Sequence, residues 1–222
     1  MADHIVRIQE IISITHNVNS YRVEKPKNFE FTPGQATDLS LIKPGWEKEK
    51  RPFTFTSLSE DKFLEFTVKS YEAHKGVTQQ LSLSKCGDEF EISDAWGAIV
   101  YKGEGVFIAG GAGVTPFIAI FRDLFQKGKI KNNKLFFSNK TEKDIILQDE
   151  FEKMMGENFI HIITQQSDTK YLHARIDKPF IEKHIKDFNQ HFYVCGPDAF
   201  TADILKALEE LGAKPDVLVF EK

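Results

Sequence analysis

The sequence predicts two domains: an antiparallel β-barrel over residues 1–101 and an α/β open parallel sheet over residues 102–222. Three observations lead there. Up to about residue 100, short runs of alternating apolar and polar residues are separated by turn signals, the pattern of a small barrel. From about residue 104, continuous apolar runs alternate with segments of helical periodicity, the pattern of parallel strands joined by right-handed crossovers. The chain has 222 residues, 41% of them hydrophobic, enough for one large or two small domains with real cores and too much for wholesale disorder.

In the first half, Ile5, Arg7, Gln9 and Ile11 alternate with His4, Val6, Ile8 and Glu10. A turn at His16-Asn17 leads into a second strand-like run. Pro33-Gly34-Gln35 is a turn signal, residues 36–42 read as a strand, and residues 43–50 are a charged loop around Trp46. Residues 51–57 read as the next strand. Side chains on a strand alternate between faces, so Arg51, Phe53 and Phe55 share one face and Thr54 and Thr56 the other. A planar cofactor with a diphosphate tail needs such a set: a ring to stack on, a hydroxyl for its edge and a guanidinium for phosphate. An ordinary half-buried strand has the same composition. Residues 63–69 alternate again, with Leu64, Phe66 and Val68 on one face and Glu65, Thr67 and Lys69 on the other. Gly76-Val77-Thr78 opens a helix. Its unpaired N–H groups and positive dipole end suit a phosphate, and a plain capped turn would look the same. Residues 88–92 are a further strand, and residues 94–98 a turn.

In the second half, residues 105–109 form a continuous apolar run, as in a buried parallel strand. Gly110-Gly111-Ala112-Gly113-Val114-Thr115-Pro116 follows, where Thr115 can cap a helix and Pro116 suits its first turn. Val114, Phe117, Ile118, Phe121, Leu124 and Phe125 then recur at helical spacing up to Gly128. Strands are predicted at 134–137, 159–164, 192–195 and 217–220, and helices at 147–155, 179–185 and 197–211. Ligands of open α/β sheets bind at the carboxyl ends of strands. Both Gly110–Gly113 and Cys195-Gly196-Pro197 lie at such ends. The domain boundary falls near Tyr101-Lys102-Gly103.

Composition excludes several classes. A net charge of −4 gives no reason to expect nucleic acid. The two cysteines, Cys86 and Cys195, form no CxxC pair, so the chain builds no zinc ribbon and no cysteine-held iron–sulfur cluster. The seven histidines are scattered, with no HxH or HxxxH spacing. Residues 1–7 lack the apolar run of a signal peptide, and no apolar stretch approaches the roughly 18 residues of a membrane span. The expectation is a reduced, soluble, cytoplasmic monomer with no membrane partner.

The order of the motifs resembles the ferredoxin–NADP reductase family: Arg51-Pro52-Phe53-Thr54-Phe55-Thr56-Ser57, then Gly76-Val77-Thr78, then Gly111-x-Gly113-x-x-Pro116 after a strand, then Cys195-Gly196-Pro197, then Glu221. Flavodoxin and ferredoxin reductases, and the reductase modules of flavohaemoglobins and ring-hydroxylating oxygenases, share this order. The resemblance covers nearly the whole chain. It implies a flavin-binding barrel followed by a nicotinamide-nucleotide domain. By resemblance Arg51 pairs with the FAD pyrophosphate, Phe53 stands where relatives stack a Tyr on the flavin, and Thr54 lies beside the flavin's redox-active nitrogen. Ser57 closes that motif. Gly76, Val77 and Thr78 bind pyrophosphate, while Gly111, Gly113, Thr115 and Pro116 form the nicotinamide-nucleotide loop. Cys195, with Gly196 and Pro197, stands beside the nicotinamide. The implied catalytic set is Thr54, Cys195 and Glu221.

Two departures matter. NADP-specific relatives place a Ser-Arg pair where this chain has Thr164-Gln165-Gln166, which leaves NADH or NADPH open as the substrate; Lys140, Lys170 and Tyr171 are the remaining candidates for a 2′-phosphate. The chain also ends at Lys222, without the aromatic residue that relatives carry two positions after the Glu, so the flavin face is expected to be open, or covered by a loop or a neighbouring chain. The resulting expectation is an FAD-dependent NAD(P)H oxidoreductase that reduces a separate carrier, a ferredoxin or flavodoxin. The alternatives are an electron-input subunit of a larger enzyme, or a catalytically silent nucleotide-binding sensor or scaffold.

Overall fold

The computed structural model of the chain describes residues 3–97 and 99–220, without the Glu72 side chain. Six antiparallel strands make the first sheet: β1 (Asp3–Thr15), β2 (Val18–Glu24), β3 (Ala36–Leu41), β4 (Arg51–Thr54), β5 (Phe63–Lys69) and β6 (Glu89–Ser93). They lie in the order β4-β3-β6-β1-β2-β5. The two edge strands approach each other, and the Thr56 N–H donates to the Glu65 carbonyl at 2.7 Å, so the sheet is a nearly closed barrel. Register shifts after Ile8 and Ser13 bend the long β1, as barrel curvature requires. Inside, Val6, Ile8, Tyr21, Phe66, Phe90 and Ile92 are buried. The helix α1 (Val77–Ser82) closes one end by burying Val77 and Leu81.

The predicted strand at 51–57 is shorter than its pattern suggested. It ends at Thr54, and the chain turns inward. Phe55 is fully buried, its ring stacked on Phe31 at 4.4 Å. It therefore does not share a working face with Arg51 and Phe53. On β5 both faces are buried, Glu65 and Thr67 included. Period-2 alternation marks the barrel face only; the second domain covers the other.

The second sheet is wholly parallel, in the order β10-β9-β8-β7-β11-β12. Its strands are β7 (Gly105–Gly110), β8 (Lys134–Asn139), β9 (Phe159–Ile163), β10 (Leu172–His173), β11 (His191–Cys195) and β12 (Leu218–Phe220). The two-residue β10 is too short to carry a periodicity and was not legible in sequence. Helices α2 (Thr115–Gln126) and α3 (Gln148–Met155) pack on one face, where Phe107, Phe117, Phe121, Phe137 and Phe151 form the core. Helices α4 (Lys178–His184) and α5 (Asp198–Glu210) cover the other, over Ile108, Phe136, Phe192, Ile204 and Leu208. Thr115 does not cap α2. A 3-10 turn (Gly111–Val114) precedes the helix, and Thr115 is its first residue, its hydroxyl donating to the Ala112 carbonyl at 3.0 Å.

From β7 the chain runs outward to β8, β9 and β10, then returns to the other side for β11 and β12. The sheet therefore reverses between β7 and β11, and their carboxyl ends frame the crevice where such sheets bind ligands. The barrel packs directly against this domain. Val18 joins the core of the α2 and α3 face. Gly34, at φ +99°, lies so close to the linker that an added Cβ would sit 2.1 Å from the Ile99 carbonyl oxygen and 3.1 Å from Ile120. Only glycine serves in that turn. The Tyr193 hydroxyl pins the linker, accepting from the amides of Lys102 and Gly103 at 2.8 and 3.1 Å and donating to the Gly103 carbonyl at 2.8 Å. Among the described residues, no helix is long and apolar enough to cross a membrane.

Candidate active site

The crevice opens onto the barrel, and together the two domains make a cleft. Its barrel wall consists of Phe53 and Thr54 from β4, Thr67–Lys69 and Tyr71 at the end of β5, and Thr78 from α1. The facing wall is Ala112, Gly113, Thr115, Pro116 and Cys195. Seven residues predicted from motifs far apart in sequence thus meet: Phe53, Thr54, Thr78, Gly113, Thr115, Pro116 and Cys195. A larger cavity of about 880 Å³ continues from it, sharing Lys69, Tyr71 and Ala112. Gly111, Asn139, Lys140, Thr164, Gln165 and Pro197 line that extension.

Close backbone packing builds the facing wall. A Cβ on Gly113 would lie 2.3 Å from the Cys195 carbonyl oxygen, and one on Gly196 would lie 2.6 Å from the Phe200 ring. The glycines therefore let the loop after β7 rest on the end of β11. Gly111 differs: its φ is +53° and an added Cβ would meet nothing within 4 Å. It presents bare backbone to the larger cavity, which suits a diphosphate.

On the barrel side, Arg51 is exposed. Its guanidinium donates to the Lys50 carbonyl at 2.7 Å and to Glu49 at 3.1 Å. An exposed pair of this kind is weak, and a phosphate can replace Glu49. Gly76 has extended backbone just before α1, leaving the amides of the first turn without helical partners. The Val77 side chain itself points into the barrel core. Ser57 is not on the cleft wall: it is buried, and its hydroxyl accepts from the Glu65 amide at 3.0 Å. Glu221 lies outside the described residues.

Several residues at the site were not legible as motifs. Lys69, from the end of β5, lines both cavities, and its ammonium lies 3.4 Å from the Asp144 carboxylate. That carboxylate also accepts from the Thr141 hydroxyl and amide at 2.8 and 3.1 Å. Burial alone would raise the Asp144 carboxyl, and Thr141 and Lys69 outweigh it, so the group lies below the usual carboxylate range. Tyr71 stacks on His74 with ring centres 5.7 Å apart, and burial pushes its phenol up. Polarity along a strand end was the available signal for Lys69 and Tyr71, and it is shared by many surface residues.

These groups fit a flavin dinucleotide and a nicotinamide nucleotide together. An aromatic face and hydroxyls stand on one wall and bare glycine backbone on the other, with Thr78 of the first turn of α1 at the edge; Arg51 and Gly76 line neither cavity. Among the described residues, no group of three or more His, Cys, Asp or Glu could hold a metal ion.

Comparison with known proteins agrees with this geometry. Residues 4–137 match the family profile of an FAD-binding domain, and residues 107–206 that of an oxidoreductase NAD-binding domain. The reductase component of propane 2-monooxygenase from Rhodococcus jostii is 25% identical over 97% of this chain. This chain spans 62% of that relative's length. NADH-cytochrome b5 reductase 1 from Aspergillus terreus is 28% identical over 92% of this chain and 76% of its own. Among solved structures, a ferredoxin NADP+ reductase from Neisseria gonorrhoeae with bound FAD and NADP superposes with a TM-score of 0.85 at 16% identity, covering 100% of this chain and 98% of that one.

Proposed function

The chain belongs to the ferredoxin reductase-like family of FAD- and NAD-binding oxidoreductases, and from that premise we propose that it takes a hydride from NADH or NADPH onto FAD and delivers the electrons singly to a separate carrier, a ferredoxin or flavodoxin. The observation that carries the reading is the meeting of Phe53 and Thr54 with Gly113 and Cys195 across one cleft. Hydride transfer needs two flat rings held face to face, and orientation supplies much of the rate. FAD, when bound, supplies the conversion of an electron pair into single electrons.

In this reading the flavin domain is 1–101 and the nucleotide domain 102–222. Phe53 and Thr54 would hold the flavin, one by its ring and the other by its hydroxyl. Arg51 would exchange Glu49 for the diphosphate, assisted by the amides of Val77 and Thr78 after Gly76. Gly111 and Gly113 admit the nicotinamide dinucleotide to the backbone, Thr115 and Pro116 hold the helix start against it, and Cys195-Gly196-Pro197 limits where the nicotinamide lies. Ser57 serves by fixing the Glu65 backbone rather than by touching the cofactor. At Thr164-Gln165-Gln166 no Arg awaits a 2′-phosphate, and Gln166 is engaged, accepting from the Glu142 amide at 3.0 Å. A modest preference between NADH and NADPH follows.

A second reading, the reductase component of a larger oxygenase, is favoured by the propane monooxygenase relative. In the carrier reading, Lys43, Lys48 and Lys50 of the charged loop before β4 offer a basic surface to an acidic carrier, with Lys50 already paired to Asp3 and Glu91 at 3.0 and 2.9 Å. The experiment is to purify the chain with FAD and measure NADH and NADPH oxidation, first with ferricyanide, then with ferredoxin, flavodoxin, cytochrome b5 and an oxygenase component. Turnover with ferricyanide and with ferredoxin or flavodoxin is expected. Turnover only with an oxygenase component would favour the second reading, and none with ferricyanide would leave a nucleotide-binding scaffold.

A further inference from the structure

Arg122 is the most heavily engaged cation at the domain boundary, and it lines neither cavity of the cleft. It stands on α2, the helix whose first residues, Thr115 and Pro116, form the nucleotide-side wall. Six residues of helix, about 9 Å, separate Pro116 from Arg122. From there its guanidinium crosses to the barrel. It donates to the Thr56 carbonyl at 2.7 Å and to Glu65 at 2.6 Å. Its other edge makes a two-point bond to Glu150 of α3, at 2.5 and 2.9 Å.

The acceptors on the barrel are buried behind the flavin-side wall. Thr56 follows Thr54 by two residues. Its hydroxyl donates to Glu65 at 3.0 Å and lies 3.2 Å from that of Thr67, itself on the cleft wall. Glu65 is only 3% exposed, and Arg22 grips its second oxygen at 3.1 Å. Each side of the crossing is thus aimed by its own domain: Glu150 fixes the guanidinium, and Arg22 and Thr56 fix the carboxylate. Such a two-point, fully bonded arrangement has one preferred geometry. Lys69–Asp144, the ion pair at the cleft itself, is long at 3.4 Å, and Lys69 lines both cavities.

We propose that Arg122 is a positioning residue for hydride transfer, its contact with Thr56 and Glu65 setting the separation and angle of the two cleft walls. The inference rests on the reading that NAD(P)H reduces FAD in this cleft. Arg122 touches neither reacting ring and exchanges no proton or electron with them. A misplacement of about 1 Å costs on the order of a hundredfold in rate, so loosening this contact slows the chemistry more than it weakens binding.

The test compares Arg122→Met, Arg122→Lys and Glu150→Gln with a control, Lys178→Met, which removes an exposed pair to Glu210. Residual dipolar couplings of the nucleotide-free protein report the angle between the two sheets. Anaerobic rapid mixing gives flavin reduction by NADH and NADPH, and ferricyanide gives reoxidation of flavin reduced beforehand with dithionite. In the wild type and in Lys178→Met, amides of both sheets fit one alignment tensor with the structure's domain angle. In Arg122→Met they no longer do, flavin reduction falls roughly 30- to 100-fold, nucleotide affinity changes less than about threefold, and reoxidation is unchanged. Arg122→Lys, a point charge without the fork, recovers part of the rate, and Glu150→Gln loses part. If Arg122→Met does not fold, those two variants carry the same comparison. An unchanged domain angle with unchanged reduction overturns the inference, as does an equal loss of reduction and reoxidation. Failure of the wild-type flavin to be reduced by either nucleotide overturns the functional reading beneath it, and the inference with it.

Discussion

Among the described residues, two ion-paired seams join the domains, and they are built in opposite ways. At the cleft, Lys69 and Asp144 face each other at 3.4 Å beside a cavity of about 880 Å³. At the other seam, Arg122 makes four short bonds to Thr56, Glu65 and Glu150, with Glu65 almost wholly buried. Burial alone would raise the Glu65 carboxyl. The charge and hydrogen bonds of Arg122, with bonds from Arg22 and Thr56, outweigh burial and hold it below the usual range. The contrast teaches how one boundary can be both firm and open. Rigid contacts sit outside the cleft, beside a separate cavity of about 430 Å³ lined by Arg22, Glu65, Arg122 and Glu150, and loose ones sit where a dinucleotide must enter.

The largest effect is expected at the firm seam. Removing one partner of a buried ion pair typically costs about 3–5 kcal/mol, so Glu65→Ala should lower unfolding stability by that order in denaturant titrations. The pH dependence has a definite sign. A carboxyl whose folded pKa is depressed contributes stability above its unfolded value, about 4.3, and loses it as pH falls through the lower folded value. The stability gap between wild type and Glu65→Gln should therefore narrow below about pH 4. A gap that widens in acid would place Glu65 outside this pairing.

Next comes the backbone of the open seam. Gly113→Ala forces a Cβ onto the Cys195 carbonyl and should cost about 1–3 kcal/mol. It should abolish flavin reduction by NAD(P)H while leaving FAD bound. Gly111→Ala meets no atom and carries only the cost of its left-handed backbone, about 1 kcal/mol.

Arg51→Ala should spare stability, because the Arg51–Glu49 pair is exposed. It should weaken FAD binding by about 1.5–3 kcal/mol, roughly tenfold to a hundredfold by equilibrium titration. The smallest effect is expected at Lys140: Lys140→Gln should change the NADPH-to-NADH ratio of kcat/KM by less than about tenfold. A change of about tenfold to a hundredfold would mark Lys140 as a 2′-phosphate ligand.

The open seam was far more legible in sequence than the firm one. Gly111, Gly113 and Cys195-Gly196-Pro197 were readable because glycine after an apolar run has a local, backbone meaning. Phe53 and Thr54 were readable from the order of motifs shared with the family, since alternation alone puts them on opposite faces. Arg122 and Glu65 were not, because they are 57 residues apart. Glu65 alternates with Leu64 and Phe66 like any outward strand residue, and its face is buried only once a second domain covers it. Phe55 was misplaced by extending strand parity past Thr54, and the buried Ser57 was assigned by resemblance alone. The Phe55 amide still continues the β3–β4 ladder to the Gln35 carbonyl at 3.0 Å, and the Thr56 amide then crosses to the Glu65 carbonyl at 2.7 Å.

The most direct measurement of the whole account is anaerobic rapid mixing of the FAD-loaded chain with NADH and with NADPH, run beside Gly113→Ala. The account predicts stoichiometric FAD in both proteins. It predicts prompt bleaching of the flavin absorbance in the wild type and none in the variant. A chain that takes up no FAD, or a variant reduced as fast as the wild type, would contradict it.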